Sequence, residues 1–246
     1  MSKREFHDAL CLRYGWLPSK LPSTCSCGLA FTVEHALSCP RGGYIAIRHN
    51  EVRDLLAELL TETCHNVEVE PQLQPLNGES FHQRSTSTAE GARLDIKAGG
   101  FWGSSRHEVA YFDVRVFNPH ANSYRSLSLE KIYSQHEAQK RLVYEQRVRE
   151  VDNGSFTPLI FACTGGSSPA TTVFLKRLGS SVADKRDVSY ATTMGWLRCR
   201  LSFALLRASI LCLRGSRPVS RHLSTTETHP TAALADARVS WQATSQ

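Results

Sequence analysis

The chain has no run of apolar residues approaching the ~20 that a membrane-spanning helix needs, so no span is expected. Its opening Met-Ser-Lys-Arg-Glu-Phe-His carries charge with no apolar core behind it, and a secretory signal is not expected either. Without export, the eight cysteines lack the oxidising compartment in which a disulfide framework forms. Acid is scarce in one stretch: from Lys185 to Arg221 there are eight basic side chains and a single acid, Asp187. Such a strip suits phosphate, on nucleic acid or anionic lipid, and reads equally well as a solvated helix face. After Pro218 all periodicity is missing, and the Ser, Thr, Ala and His there predict a disordered tail.

What is present suffices for a folded core. The 246 residues are 41% hydrophobic and 21% charged, with a net charge of +6. That is room for one mid-sized domain and a small module. A short helix and a Pro-punctuated connector fill residues 1–24, and a compact Cys/His unit ends at Gly42-Gly43. Ile45, Val52, Leu55, Leu56, Leu59 and Leu60 form one apolar side of a helix over Tyr44 to Thr63. Val67 to Glu70 alternates as a strand, and residues 75–90 read as a loop. A hairpin follows, Ala92 to Lys97 and Val109 to Phe117. Leu127 to Val151 predicts a long helix, Pro158 to Cys163 a strand, and 168–184 and 189–213 two more helices. This order predicts an α/β fold, one mixed sheet flanked by helices. Its divisions are 1–43 for the N-terminal segment, 44–215 for the main domain and 216–246 for the tail.

Five cysteines, Cys11, Cys64, Cys163, Cys199 and Cys212, stand among apolar neighbours as small hydrophobes. The other three cluster with a histidine: Cys25, Cys27, His35 and Cys39. Zinc takes four such ligands in a tetrahedron. Cys25 and Cys27 flank a turn that Gly28 frees, and His35 and Cys39 stand one helical turn apart on one face. Four protein ligands close the site, so the expected zinc is structural and supplies folding energy.

Strand Val109 to Phe117 alternates Ala110, Phe112, Val114 and Val116 on one face with Tyr111, Asp113 and Arg115 on the other. A hairpin symmetric about Gly103 places Asp95 opposite Tyr111, with Asp113 its diagonal neighbour on the same face. Two converging carboxylates repel unless a divalent cation such as Mg²⁺ lies between them. On the long helix, Lys140 interrupts an apolar stripe, with His136 one turn before and Tyr144 one turn after. A core-facing lysine can serve a dicarboxylate site, or it can snorkel outward.

Together the zinc pattern, Arg48-His49-Asn50, Leu94-Asp95-Ile96, Phe112-Asp113-Val114-Arg115-Val116, and His136, Lys140 and Tyr144 resemble a known module over about residues 10–215. It is similar to the C-terminal end of non-LTR retrotransposon polyproteins of the restriction-like-endonuclease type. There a Cys-Cys-His-Cys zinc knuckle follows the reverse transcriptase and precedes a PD-(D/E)xK nuclease. The resemblance implies a restriction-endonuclease-like sheet with a small N-terminal zinc knuckle. It implies Asp95, Asp113, Lys140 and Tyr144 as catalytic residues, with Asp95 and Asp113 holding Mg²⁺. An acid from helix 44–63 is also implied, Glu51 first and Glu58 as the alternative. Leu94 replaces the family's Pro, and Arg115 stands where the common pattern has Lys; Arg is no proton acceptor at neutral pH.

The leading expectation is a metal-dependent DNA endonuclease whose nick primes reverse transcription. Lys140 would stabilise the transition state; His136, Tyr144 and Arg115 would orient phosphate; Arg48, His49 and the basic helix after Lys185 would track the backbone. DNA is the expected partner, element RNA a second one, and the host-DNA compartment, the nucleus, the expected location. With no room for a polymerase, the chain reads as a separated or truncated C-terminal piece. The rivals are a catalytically inactive nucleic-acid-binding remnant and a protein-interaction module built on helix 189–213.

Overall fold

The computed structural model describes residues 1–73, 93–103 and 108–217. The loop expected at 75–90 and the tail expected after Pro218 lie outside the described residues.

Local sequence sets the helix boundaries. Helix α1 (Lys3–Tyr14) begins in a capping box: the Ser2 hydroxyl accepts from the Glu5 N–H, and the Glu5 carboxylate accepts from the Ser2 N–H. It ends at Gly15 in the left-handed region that glycine adopts freely. Helix α2 (Val33–Ser38) starts at Thr32, whose hydroxyl accepts from the His35 N–H. Helix α3 (Tyr44–Thr61) leads into strand β1 (His65–Val69). Strands β2 (Ile96–Gly99) and β3 (Val109–Phe117) follow. Helix α4 (Leu129–Glu150) starts at its Ser128 cap, and β4 (Ser155–Ala162) comes next. Helices α5 (Pro169–Arg186) and α6 (Tyr190–Arg214) finish the described chain, each with a serine cap and α5 with Pro at its start.

The four strands form one mixed sheet in the order β1-β2-β3-β4. The β1/β2 and β2/β3 pairs are antiparallel; β3/β4 is parallel and is joined through α4. Pro158 falls in β4, a terminal strand of the sheet, where a missing N–H costs least.

The alternation of β3 sorts the layers. Ala110, Phe112, Val114 and Val116 join Leu159 and Phe161 of β4 under α3, α5 and α6, the main core. On the other face, Tyr111 and Phe156 pack with Tyr144 and Val148 of α4, and Phe117 and Ile160 pack with Ile132 and Tyr133. Helices therefore cover both faces, so the Asp113 side of β3 is buried rather than half-solvated. A carboxylate placed there must find partners.

The hairpin register differs from the expected one by two residues. Ile96 pairs with Phe112 and Lys97 with Tyr111, not with the partners that symmetry about Gly103 gives. A slip of two preserves which face each side chain occupies. One step beyond that ladder, Asp95 comes level with Asp113 instead of Tyr111, and its N–H donates to the Phe112 carbonyl over 3.2 Å.

The Cys/His unit is packed onto this α/β body. Its apolar floor, Cys25, Phe31, Ala36 and Cys39, includes Leu213 of α6. Asn118, just after β3, donates to the Glu34 carbonyl (3.2 Å) and the Ser38 hydroxyl (2.9 Å). Arg217 stacks over the rings of Phe31 and Tyr44 at 5.1 and 4.9 Å. Midway along α1, the buried Asp8 carboxylate accepts two bonds from the Arg214 guanidinium (2.7 and 2.5 Å). That pairing holds the carboxyl below its ordinary range.

Candidate functional site

Two clusters of ionisable side chains are formed. The first is Cys25, Cys27, His35 and Cys39, whose ligand atoms all lie within 4.8 Å of one another. Among the described residues no other group of three or more His, Cys, Asp or Glu gathers in this way. A tight turn carries the first pair: the Gly28 N–H donates to the Cys25 carbonyl over 2.9 Å, and the Cys25 N–H takes the Leu29 carbonyl at 2.8 Å. Gly28 has φ 89°, a left-handed backbone that glycine adopts without strain. Helix α2 presents His35, and Cys39 is its C-cap.

Tetrahedral geometry provides a test of fit. With Zn–S near ~2.3 Å and Zn–N near ~2.0 Å, the edges of the tetrahedron are ~3.8 Å between sulfurs and ~3.5 Å from sulfur to nitrogen. Cys25 Sγ is 3.8 Å from Cys39 Sγ, and Cys27 Sγ is 3.3 Å from His35 Nε2. Burial works against a Cys25 thiolate, but hydrogen bonds from the Cys27 backbone and the His35 side chain outweigh it and bring the thiol down to about 6. The neighbouring Cys39 thiol is pushed up by burial and by the Cys25 charge. These four residues can bind a zinc ion, and all four positions of a tetrahedron are then filled by protein.

The second cluster lies under α4. Lys140 Nζ is 2.7 Å from Asp113 Oδ2, so the lysine turns inward rather than out to solvent. The ammonium is the charge that this buried carboxylate meets directly. Burial, then the Asp95 charge, raise the Asp113 carboxyl well above its ordinary range, with Lys140 pulling the other way. Asp95 Oδ2 accepts from the Val114 N–H at 2.6 Å and from His49 Nε2 at 3.1 Å. His49 Nε2 is also 3.0 Å from the Val114 carbonyl. Burial opposes a charged imidazole here, but the Asp95 contact prevails and the His49 pKa goes up. The Lys140 ammonium is 5.6 Å from the centre of the Tyr144 ring. Burial, with the charges of Asp113 and Asp95, pushes the Tyr144 hydroxyl above its ordinary range, so it is a neutral donor at physiological pH.

Asp113, Lys140 and Tyr144 are thus brought together beneath α4, while Asp95 is bonded to His49 of α3 from the other layer and acts on Asp113 and Tyr144 through its charge. Other expected residues are placed elsewhere. Arg48 is only 2% exposed, and its guanidinium donates to the Leu37 carbonyl (3.0 Å) and the Val116 carbonyl (3.4 Å). It ties the Cys/His unit to the sheet and cannot reach a DNA backbone. His136 is buried against Phe117 and bonded to the Tyr124 hydroxyl at 3.1 Å. Burial, with the nearby Arg115 and Lys140 charges, depresses it to about 4, so it offers phosphate no positive charge at neutral pH. Arg115 is half-buried and donates to Gln139 at 3.2 Å.

The α3 side chain bonded to Asp95 is His49. Glu58 pairs with Arg200 of α6 at 3.0 Å. The basic strip is also largely spent inside the molecule. Lys185 and Arg186 bind Glu62, Arg200 binds Glu58, Arg214 binds Asp8, and Arg217 donates to the Ala36 and Cys212 carbonyls. Arg186 further stacks on Trp196 at 4.2 Å. Arg198 stays exposed on α6.

Sequence reasoning missed the position of His49. The signal was its spacing: His49, Val52 and Leu56 fall on one side of α3, the side that faces the sheet. No protein-family model and no curated protein matches the chain. No helix among the described residues is long and apolar enough to cross a membrane.

Proposed function

We propose that the chain is a metal-dependent DNA endonuclease module with a restriction-like fold, a C-terminal piece of a non-LTR retroelement that works on host DNA in the nucleus. The observation that carries this reading is the meeting of Asp113 and Lys140 at 2.7 Å beside Asp95, on a buried sheet face where ionisable groups are costly unless used. The donor set suits a hard cation: two carboxylates, with the Val114 carbonyl alongside. Asp95 and Asp113 would hold Mg²⁺, which supplies Lewis-acid polarisation of a phosphate and a more acidic water when bound.

The chain's own groups have separable roles in this reading. The Val114 N–H fixes one oxygen of Asp95. Lys140, 21% exposed at its side chain, offsets charge on the scissile phosphate once Asp113 turns to the cation. Tyr144 stays protonated and can donate to phosphate. DNA is the substrate, and element RNA is the second partner that the retroelement assignment carries. The zinc unit holds the base of α3 and leaves chemistry to the second cluster.

A specific observation favours the rival, a catalytically inactive nucleic-acid-binding remnant. The second cluster is already balanced: Lys140 answers Asp113, and His49 answers Asp95. Arg115 is also bonded to Gln139 rather than to a carboxylate. Incubating supercoiled plasmid with Mg²⁺ and purified protein separates the two. Nicking by the wild type that is lost in Asp113→Ala and in Lys140→Ala supports the nuclease. Duplex binding without nicking in any of the three supports the remnant.

A further inference from the structure

We propose that His49 is the positioning residue of the carboxylate cluster: its ring N–H, seated between Asp95 and the Val114 carbonyl, aims Asp95 at a divalent cation. This rests on the metal-dependent reading above and assigns His49 a task other than contact with DNA.

The geometry is specific. Nε2 lies 3.1 Å from Asp95 Oδ2 and 3.0 Å from the Val114 carbonyl oxygen. A carbonyl can only accept, so this nitrogen carries the hydrogen. Its other ring nitrogen is 3.2 Å from Asn50 Oδ1, which fixes the ring plane from behind. Both side chains are largely covered, His49 at 18% exposure and Asp95 at 15%, so the contact is poorly screened by solvent. Asp95 Oδ2 already takes the Val114 N–H at 2.6 Å. With the His49 donor added, that oxygen has two partners. Two donors on Oδ2 fix the carboxylate plane, and with it the direction in which Oδ1 points. Asp113 stands beside it, 5% exposed, with the Lys140 ammonium 2.7 Å from its Oδ2 as the charge that a cation would replace.

Outer groups that orient a metal-binding side chain typically change affinity about 10–100-fold when removed. The test is Mn²⁺ binding to the full chain, followed by electron paramagnetic resonance of the free ion, with thermal melting in parallel. Wild type should bind one ion that Asp113→Ala loses. His49→Ala should bind at least about tenfold more weakly with its melting curve still cooperative. His49→Gln, which keeps an N–H donor at comparable reach, should recover most of the affinity. Unchanged or tighter binding in His49→Ala would overturn the proposal, the tighter result marking the ring as a competitor of the ion. Equal weakening in His49→Ala and His49→Gln would overturn it as well. Failure of wild type to bind any ion that depends on Asp113 would remove the metal reading itself, a different result from failure at His49 alone.

Discussion

The two ionisable clusters solve the same electrostatic problem in opposite ways. Around Cys25, Cys27, His35 and Cys39 three thiols and an imidazole converge on a point that a cation would fill. Around Asp95 and Asp113, the counter-charges are built in as His49 and Lys140. The first cluster therefore needs something from outside to be complete, whereas the second can stand alone and must give something up to accept a cation. A site that waits for metal is a folding device, and a site that balances itself can be loaded and unloaded without unfolding the protein.

The largest expected effect breaks the first side of this comparison. Cys39→Ser, or a strong zinc chelator, should destabilise the fold by about 5 kcal/mol, lowering the melting temperature by roughly 10–20 °C. Loss of one bound zinc per chain and a shifted circular-dichroism melt would register it; a zinc-free protein melting like the wild type would contradict it. Asp113→Asn breaks the other side. Nicking should drop by about 10²–10³-fold, with the melt still cooperative and about 3 kcal/mol lost because Lys140 is left without its buried partner. A collapse of the fold in that variant would show the cluster to be structural.

Asp8→Ala tests whether the Cys/His end depends on its anchor to α6. The 2.7 and 2.5 Å bonds to Arg214 are buried on the Asp8 side, and losing them should cost about 3 kcal/mol in urea unfolding, with zinc still bound. The smallest effect is a pH slope. His136 is held at about 4 in the folded chain against an ordinary 6.5, so the unfolded state takes up a proton first on acidification. Its contribution to stability is fully present above pH 6.5 and is lost as pH falls toward 4. His136→Phe should flatten the melting-temperature profile across that window and leave the profile above pH 7 unchanged.

Periodicity in the sequence recovered most of the scaffold. Helices α3 to α6 and strand β3 fall within a few residues of where apolar spacing and caps put them, because one amphipathic face per element leaves few alternatives. The four residues that could bind zinc were legible in their spacing, since one turn and one helical step bring them together. The register of β2 was not. The shift from Tyr111 to Asp113 opposite Asp95 is invisible to a count of alternating residues, because a slip of two keeps every side chain on its face. The fates of Arg48 and His136 were hidden for a related reason. Both are polar types that favour surfaces, and only the packing of α3 and α4 on the two sheet faces turned them inward. Nor could spacing show which acids answer the cationic strip on α5 and α6, because Glu58, Glu62 and Asp8 come from distant parts of the chain.

The floor under the thiol-rich unit is Leu213, 174 positions after Cys39 in the sequence. At translation rates of about 5–20 residues per second, that gap is roughly 10–35 s. During synthesis the thiols are therefore made, and can meet metal or oxidant, well before the surface that will shelter them exists. Early ion capture would protect this segment in the nascent polypeptide, which makes the supply of zinc during translation as consequential for yield as any contact in the finished molecule.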